Sequence, residues 1–284
     1  MSSDFKFQMT DFRKQAILFF ALLAMVVQAG LPQPMCVFYG QAKDDFGWPY
    51  MNGADVVLRS GTNEYARHTI TGSLSPGVNF ALYVHLDDAT GDAPYSPFAM
   101  NPGDGFEIVV IDGDGEKTIM ETNALPTVGN PGDVVLVNVT AGEDEDADGL
   151  SDEWERYLVS VSQNPYINSI EDVRPEDDYD GDGSSNGDEY LAGTMPFLDY
   201  DYFFAEHVNW FSNGWVQLEF LSVPGKVYRV YSSTNLTEEG WSEREYSTQP
   251  GGTLQTGPAE GDGDWFSFYL KIKGSSDFFK MTVE

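Results

Sequence analysis

The sequence predicts a mainly β chain in which two β-sandwich domains are joined by a small helical module. Three observations carry this reading. The 29 Gly and 15 Pro among 284 residues mark many turns, while 41% hydrophobic and 14% aromatic residues are enough to fill cores. Apolar residues alternate with a period of two in the later part of the chain, as in Val216, Leu218 and Phe220 and again in Phe266, Phe268, Leu270 and Ile272. Helix-compatible stretches are confined to the centre, at 152–163 and 186–192, and each follows a loop crowded with acids.

Those two loops share one residue order. The first runs Asp144, Asp146, Asp148, Gly149, Leu150, Asp152, Glu155, and the second Asp178, Asp180, Asp182, Gly183, Ser184, Asn186, Glu189. Acids therefore stand at positions 1, 3 and 5, Gly at 6, Asp or Asn at 9 and Glu at 12. Calcium takes six to eight hard oxygens, and this spacing supplies them. The carboxylates at 1, 3 and 5 close around one point, and Gly permits the sharp turn. The carbonyls of Leu150 and Ser184 at position 7 each add an oxygen, and Glu155 and Glu189 can each add two. Position 9, Asp152 or Asn186, acts directly or through water. Two complete loops in tandem predict two calcium ions. Magnesium fits less well, because it keeps more of its waters. Without a cation, carboxylates this close repel one another.

The formal net charge is −31. Residues 141–190 hold 17 of the 46 acids against two basic residues, Arg156 and Arg174, and the flanks are acidic as well. Phosphate-backbone binding needs clustered Lys and Arg, so a nucleic-acid partner is not expected. The single Cys36 excludes an internal disulfide.

Residues 1–29 have the pattern of a secretory signal. Lys6, Arg13 and Lys14 precede an apolar run at 16–27, and Val27-Gln28-Ala29 is a cleavage site of small-x-small type. The run is shorter than the roughly 20 residues of a membrane span, so no stable span is expected after cleavage. An uncleaved N-terminal anchor is the alternative. Cys36 follows Pro34 and Met35 where lipidation requires small residues, so lipid attachment is not expected. The mature protein is expected to be secreted or at the cell surface.

Residues 30–140 form the first expected sandwich, with strands near 36–42, 54–58, 79–86, 106–111, 117–121 and 133–139. Asp112-Gly113-Asp114-Gly115 resembles a further acidic loop but lacks a following helix with a position-12 Glu, so it is expected to be a hairpin turn. The run from Tyr39 to Val56, with Asp44, Gly47, Pro49, Gly53 and Ala54, resembles carboxypeptidase regulatory-like domains. The resemblance implies a seven-strand, transthyretin-like sandwich without catalytic residues.

Residues 141–201 form the expected calcium module. Trp154, Leu158, Tyr190 and Leu191 are its expected apolar patch, and Gly193 ends the second helix. The paired EF-hand-like loops and helices resemble thrombospondin type 3 repeats and dockerins. The tract Asp180 to Thr194 resembles a linker module of large secreted bacterial proteins, although Met195-Pro196 stands here in place of that module's Asp-Pro. Residues 202–284 form the second expected sandwich. Its Val227–Leu236 run, Trp241 and closing Phe278-Phe279-Lys280-Met281 resemble a C-terminal β-sandwich of secreted bacterial proteins.

His68, His85 and His207 have no zinc-ligand spacing, and neither a nucleophile elbow nor a phosphate loop is present. A non-enzymatic role is therefore expected: calcium rigidifies a spacer between two β-sandwiches in a structural or adhesion protein. The alternative is a dockerin-like or carbohydrate-binding module that docks a partner protein or polysaccharide. Trp215, Trp265 and Tyr269 fall on the outward side of their strands. They either bind such a partner or, as the sequence favours, pack against the calcium module or a loop.

Overall fold

The computed structural model describes residues 31–88, 90, 94–121, 127–273 and 277–284. The expected leader at 1–29 lies outside them. The described residues are mainly β, with seventeen strands and two α-helices. None of their helices is long and apolar enough to cross a membrane.

The strands of the first part are β1 (Pro32–Gly40), β2 (Ala42–Lys43), β3 (Asp55–Ser60), β4 (Asn63–Thr69), β5 (Phe80–Asp87), β6 (Ala99–Met100), β7 (Glu107–Asp112), β8 (Gly115–Lys117), β9 (Val134–Leu136) and β10 (Val139–Thr140). One sheet has the order β6-β5-β1-β9 and another β4-β3-β7-β8, while β10 and β2 make a short parallel pair. Alternation places Phe80, Leu82, Val84 and Leu86 of β5 in the interior and leaves Tyr83 and His85 outside. Those four meet Phe38 of β1, Val56 and Leu58 of β3 and Ile108 and Val110 of β7, so both sheets share one apolar cluster. The expected strand at 117–121 is shorter than predicted. β8 stops at Lys117, and Ile119 makes an isolated bridge to Ala141. Asp112 pairs with Gly115 across a two-residue turn in which the Asp112 carboxylate accepts from Asp114 N at 2.9 Å, as the hairpin reading requires.

After the central helices come β11 (His207–Phe211), β12 (Trp215–Leu221), β13 (Val227–Ser233), β14 (Ser242–Glu243), β15 (Ala259–Glu260), β16 (Trp265–Lys271) and β17 (Phe278–Val283). One sheet has the order β11-β12-β16. In the other, β14 and β15 share one edge of β13 and β17 takes the opposite edge. Val216, Leu218 and Phe220 lie beside Leu270 and Phe268 on one side of their sheet and pack with Tyr228 of β13 in a second apolar cluster, as the alternation predicted. Trp265 is 49% exposed. It meets His207 edge-on at 5.4 Å, Tyr269 lies 6.3 Å from Phe211, and Lys271 Nζ sits over the Trp215 ring. The covering groups thus come from the same sheet and not from the central module, because β11, which was not anticipated, extends that face.

The two β regions also touch directly. Gln41 Nε2 donates to Gly225 O at 2.8 Å, and Lys226 Nζ donates to Gly47 O at 3.0 Å. The approach depends on Gly225: it has φ +75°, and a Cβ there would lie 2.7 Å from Met51 Sδ and 2.9 Å from Pro49 Cβ. The central segment is therefore not the only connection between them.

Candidate metal centre

The centre holds two helices, α1 (Asp152–Val161) and α2 (Asn186–Ala192). Each begins one residue after a serine that caps it. Ser151 Oγ accepts from Glu153 N at 3.3 Å, and Ser185 Oγ accepts from Asp188 N at 3.2 Å. Gly193, with φ +78°, closes α2 in the left-handed conformation. An apolar cluster of Leu150, Trp154, Leu158, Ile167, Val173 and Tyr190 holds the unit together, with Trp154 and Tyr190 edge-on at 5.1 Å. Leu191 is not part of it and is 43% exposed. Its place in the expected patch is taken by Leu150 of the first acidic loop and by Ile167 and Val173 of the segment between the helices.

The two acidic loops have one backbone design. The position-1 carboxylate accepts from the position-6 glycine in each: Gly149 N to Asp144 at 3.1 Å and Gly183 N to Asp178 at 3.0 Å. The position-5 carboxylate accepts from position 7: Leu150 N to Asp148 at 2.9 Å and Ser184 N to Asp182 at 2.7 Å. The position-9 amide donates to the residue before the loop: Asp152 N to Glu143 O at 3.0 Å and Asn186 N to Asp177 O at 2.7 Å. Position 4 is left-handed in both, with Gly181 at φ +80° and Ala147 at φ +60°. Among the described residues Ala147 is the one non-glycine with positive φ. An L-residue pays about 1–2 kcal/mol there, partly offset by the chain entropy that Gly would lose. Ala147→Gly should therefore stabilise the protein by about 0.5–1 kcal/mol, read as a higher urea midpoint. A lower midpoint would count against the shared loop design.

These bonds set the carboxylates close together. Ligand oxygens of Asp144, Asp146 and Asp148 lie within 4.8 Å of one another, as do those of Asp178, Asp180 and Asp182. Glu155 and Glu189 project from the first turns of α1 and α2 and are fully buried, yet all four of their carboxylate oxygens have no hydrogen-bond partner. Burial pushes the Glu155 carboxyl up to about 8, reinforced by Asp148 and Asp146, and burial does the same to Glu189, reinforced by Asp180 and Asp182. Burial likewise raises Asp146, Asp148 and Asp180. Buried carboxylates without donors are costly, and a hard cation is the species that would satisfy this many oxygens at once.

The two centres are unequal. In the second, Asp180 Oδ2, Asp182 Oδ2 and Asn186 Oδ1 are also buried without partners. The Asn186 amide group donates to Arg174 O at 2.8 Å, which leaves its oxygen for the loop. In the first, both Asp152 carboxylate oxygens already accept hydrogen bonds. One accepts from Glu145 N at 2.8 Å and the other from Arg156 Nη2 at 2.8 Å, and the carboxylate groups with Glu143 and Glu145. Asp152 thus pins the loop, whereas Asn186 presents an oxygen. The sequence reading also missed Thr194, whose hydroxyl is buried and unpartnered, and Asp199 and Asp201, whose charges act on Asp180 and Glu189. The Asp199-x-Asp201 spacing after α2 was the available signal. Comparison with known protein families, curated proteins and solved structures finds no match.

Proposed function

We propose that this is an exported, non-enzymatic calcium-binding structural or adhesion protein in which two ions stiffen the segment between two β-sandwich domains. The observation that carries the reading is the pair of fully buried glutamates, Glu155 and Glu189, each without a hydrogen-bond partner and each beside three clustered aspartates. Calcium answers that arrangement through its preference for many carboxylate and carbonyl oxygens at flexible geometry. The second centre, with its additional free oxygens, should bind more tightly. Export rests on the leader-like residues 1–29 and agrees with the use of metal in place of disulfides.

A second reading, a binding module for a polysaccharide or a cell-surface protein, has one observation in its favour. The face of β11, β12 and β16 combines Trp265, Tyr269 and Phe211 with a hydrogen-bonded strip of Asn209, Gln217, Glu219 and Ser267. The dockerin form of this reading is disfavoured because α1 and α2 differ in length and sequence. Calorimetric titration tests the leading reading. Two binding events are expected, in the range of about 10⁻⁴–10⁻³ M typical of extracellular modules. Asp112→Ala, in the hairpin, should retain both. The absence of any event at millimolar calcium would overturn the proposal.

A further inference from the structure

Lys226 is fully buried, and its side chain joins three parts of the chain. Its backbone belongs to the C-terminal β region, where its carbonyl accepts from Gly261 N at 2.9 Å. Its Nζ donates to Gly47 O, in a turn of the first β region, at 3.0 Å and to Leu191 O, in α2, at 2.7 Å. Leu191 lies two residues beyond Glu189, in the same short helix. A cation or strong donor at a helix C-terminus is favourable, because the last carbonyls have no partners within the helix. Gly193 keeps the path open, since a Cβ there would stand 3.1 Å from Lys226 Cε. Burial, and then the neighbouring Lys43, lower the Lys226 ammonium to about 7, with Asp44 opposing. The amine with two N–H groups and the ammonium with three can each serve both carbonyls.

A second observation places the same metal centre against the same β region. A cavity of about 310 Å³ is lined on one side by Gly183, Glu189 and Thr194 and on the other by Met281, Thr282 and Val283 of β17. The cavity beside the first loop is lined instead by Thr118, Ile119 and Met120 of the first β region, together with Glu143, Asp144 and Ala147. α2 has only seven residues, too few to hold its shape without tertiary support.

We propose that Lys226 is a positioning residue for the second metal centre: it fixes the C-terminal end of the helix that presents Glu189, so that an ion in that loop and the docking of the C-terminal β region strengthen each other. The proposal rests on the calcium reading above. Coupling of this kind is reciprocal and commonly amounts to 5–150-fold in affinity.

The test uses the full chain and calcium alone. In a Glu155→Gln background, which leaves only the second loop competent, Lys226→Met should weaken calcium binding at least about fivefold. Met keeps the apolar stem as far as Cε and removes the terminal donor. In a Glu189→Gln background, which leaves only the first loop, the same substitution should leave affinity unchanged. That arm also reports that the chain is folded. Lys226→Gln, which retains donor N–H groups, should recover part of the loss. Equal affinity at the second loop with and without Lys226, or an equal weakening at both loops, overturns the proposal. A Glu155→Gln parent that binds no calcium overturns the calcium reading itself, and this proposal with it.

Discussion

Glu189→Gln should abolish the tighter of two calcium-binding events and, in chelator at alkaline pH, make the protein more stable than the wild type. The opposite signs follow from one geometry. With calcium, the Glu189 carboxylate supplies up to two of the ion's oxygens, and an amide supplies one neutral oxygen in its place. Without calcium, its two oxygens are buried with no donor, beside Asp180, Asp182 and Asp178. Its folded-state pKa rises from 4.5 to about 8. An acid raised in this way favours folding fully below its unfolded pKa and loses that contribution as pH rises through the folded one. The calcium-free wild type should therefore weaken between about pH 4.5 and pH 8. The variant lacks this loss, and above pH 8 it should gain about 1–3 kcal/mol, the cost of a buried unsatisfied group. Glu155→Gln should act likewise at the first loop. A variant that is less stable than the wild type in chelator at pH 9 would show that these carboxylates have partners other than a metal.

The parts that were legible in the sequence are those governed by short-range rules. The loops follow from residue order alone, since positions 1, 5, 6 and 7 bond to one another within six residues. Both helices start where a serine and an acidic first turn predict. The alternation in β5, β12 and β16 identified their buried faces. What was missed depends on distant partners. β4 and β11 are mostly exposed, so their sequences lack the alternation of a half-buried strand. Leu191 matched the helical spacing but faces outward, and Leu150, Ile167 and Val173 complete the patch instead. Asp152 and Asn186 occupy the same loop position, yet Arg156 draws Asp152 into an ion pair that has no equivalent at Asn186. Lys226, in a turn with Pro224 and Gly225, had every local mark of an exposed residue. Its burial results from contacts 35 and 179 residues away.

Removal of calcium should open the centre and leave both β cores folded. Among the described residues, the central cluster has six buried apolar residues, against twenty in the first β region and nine in the second. α1 and α2 have ten and seven residues, lengths that are marginal in water without tertiary support. Metal binding is therefore expected to be coupled to folding of this segment. At free calcium tenfold above the dissociation constant, each ion adds about 1.4 kcal/mol. The two β regions have their own apolar clusters and should stay folded. Their direct contact includes Gln41 with Gly225 and Ser73 with Glu260, and Lys226 would lose one of its two acceptors if α2 frays. In chelator, scattering should consequently show a larger and more variable particle, and proteases should cut within 141–200. The most direct measurement is amide hydrogen exchange of the full chain with calcium and with chelator. The account predicts that protection is lost across residues 144–192 in chelator while Phe38, Val56, Leu82, Val216 and Phe268 keep theirs. Equal protection of 144–192 in both conditions would contradict a structural role for the ion.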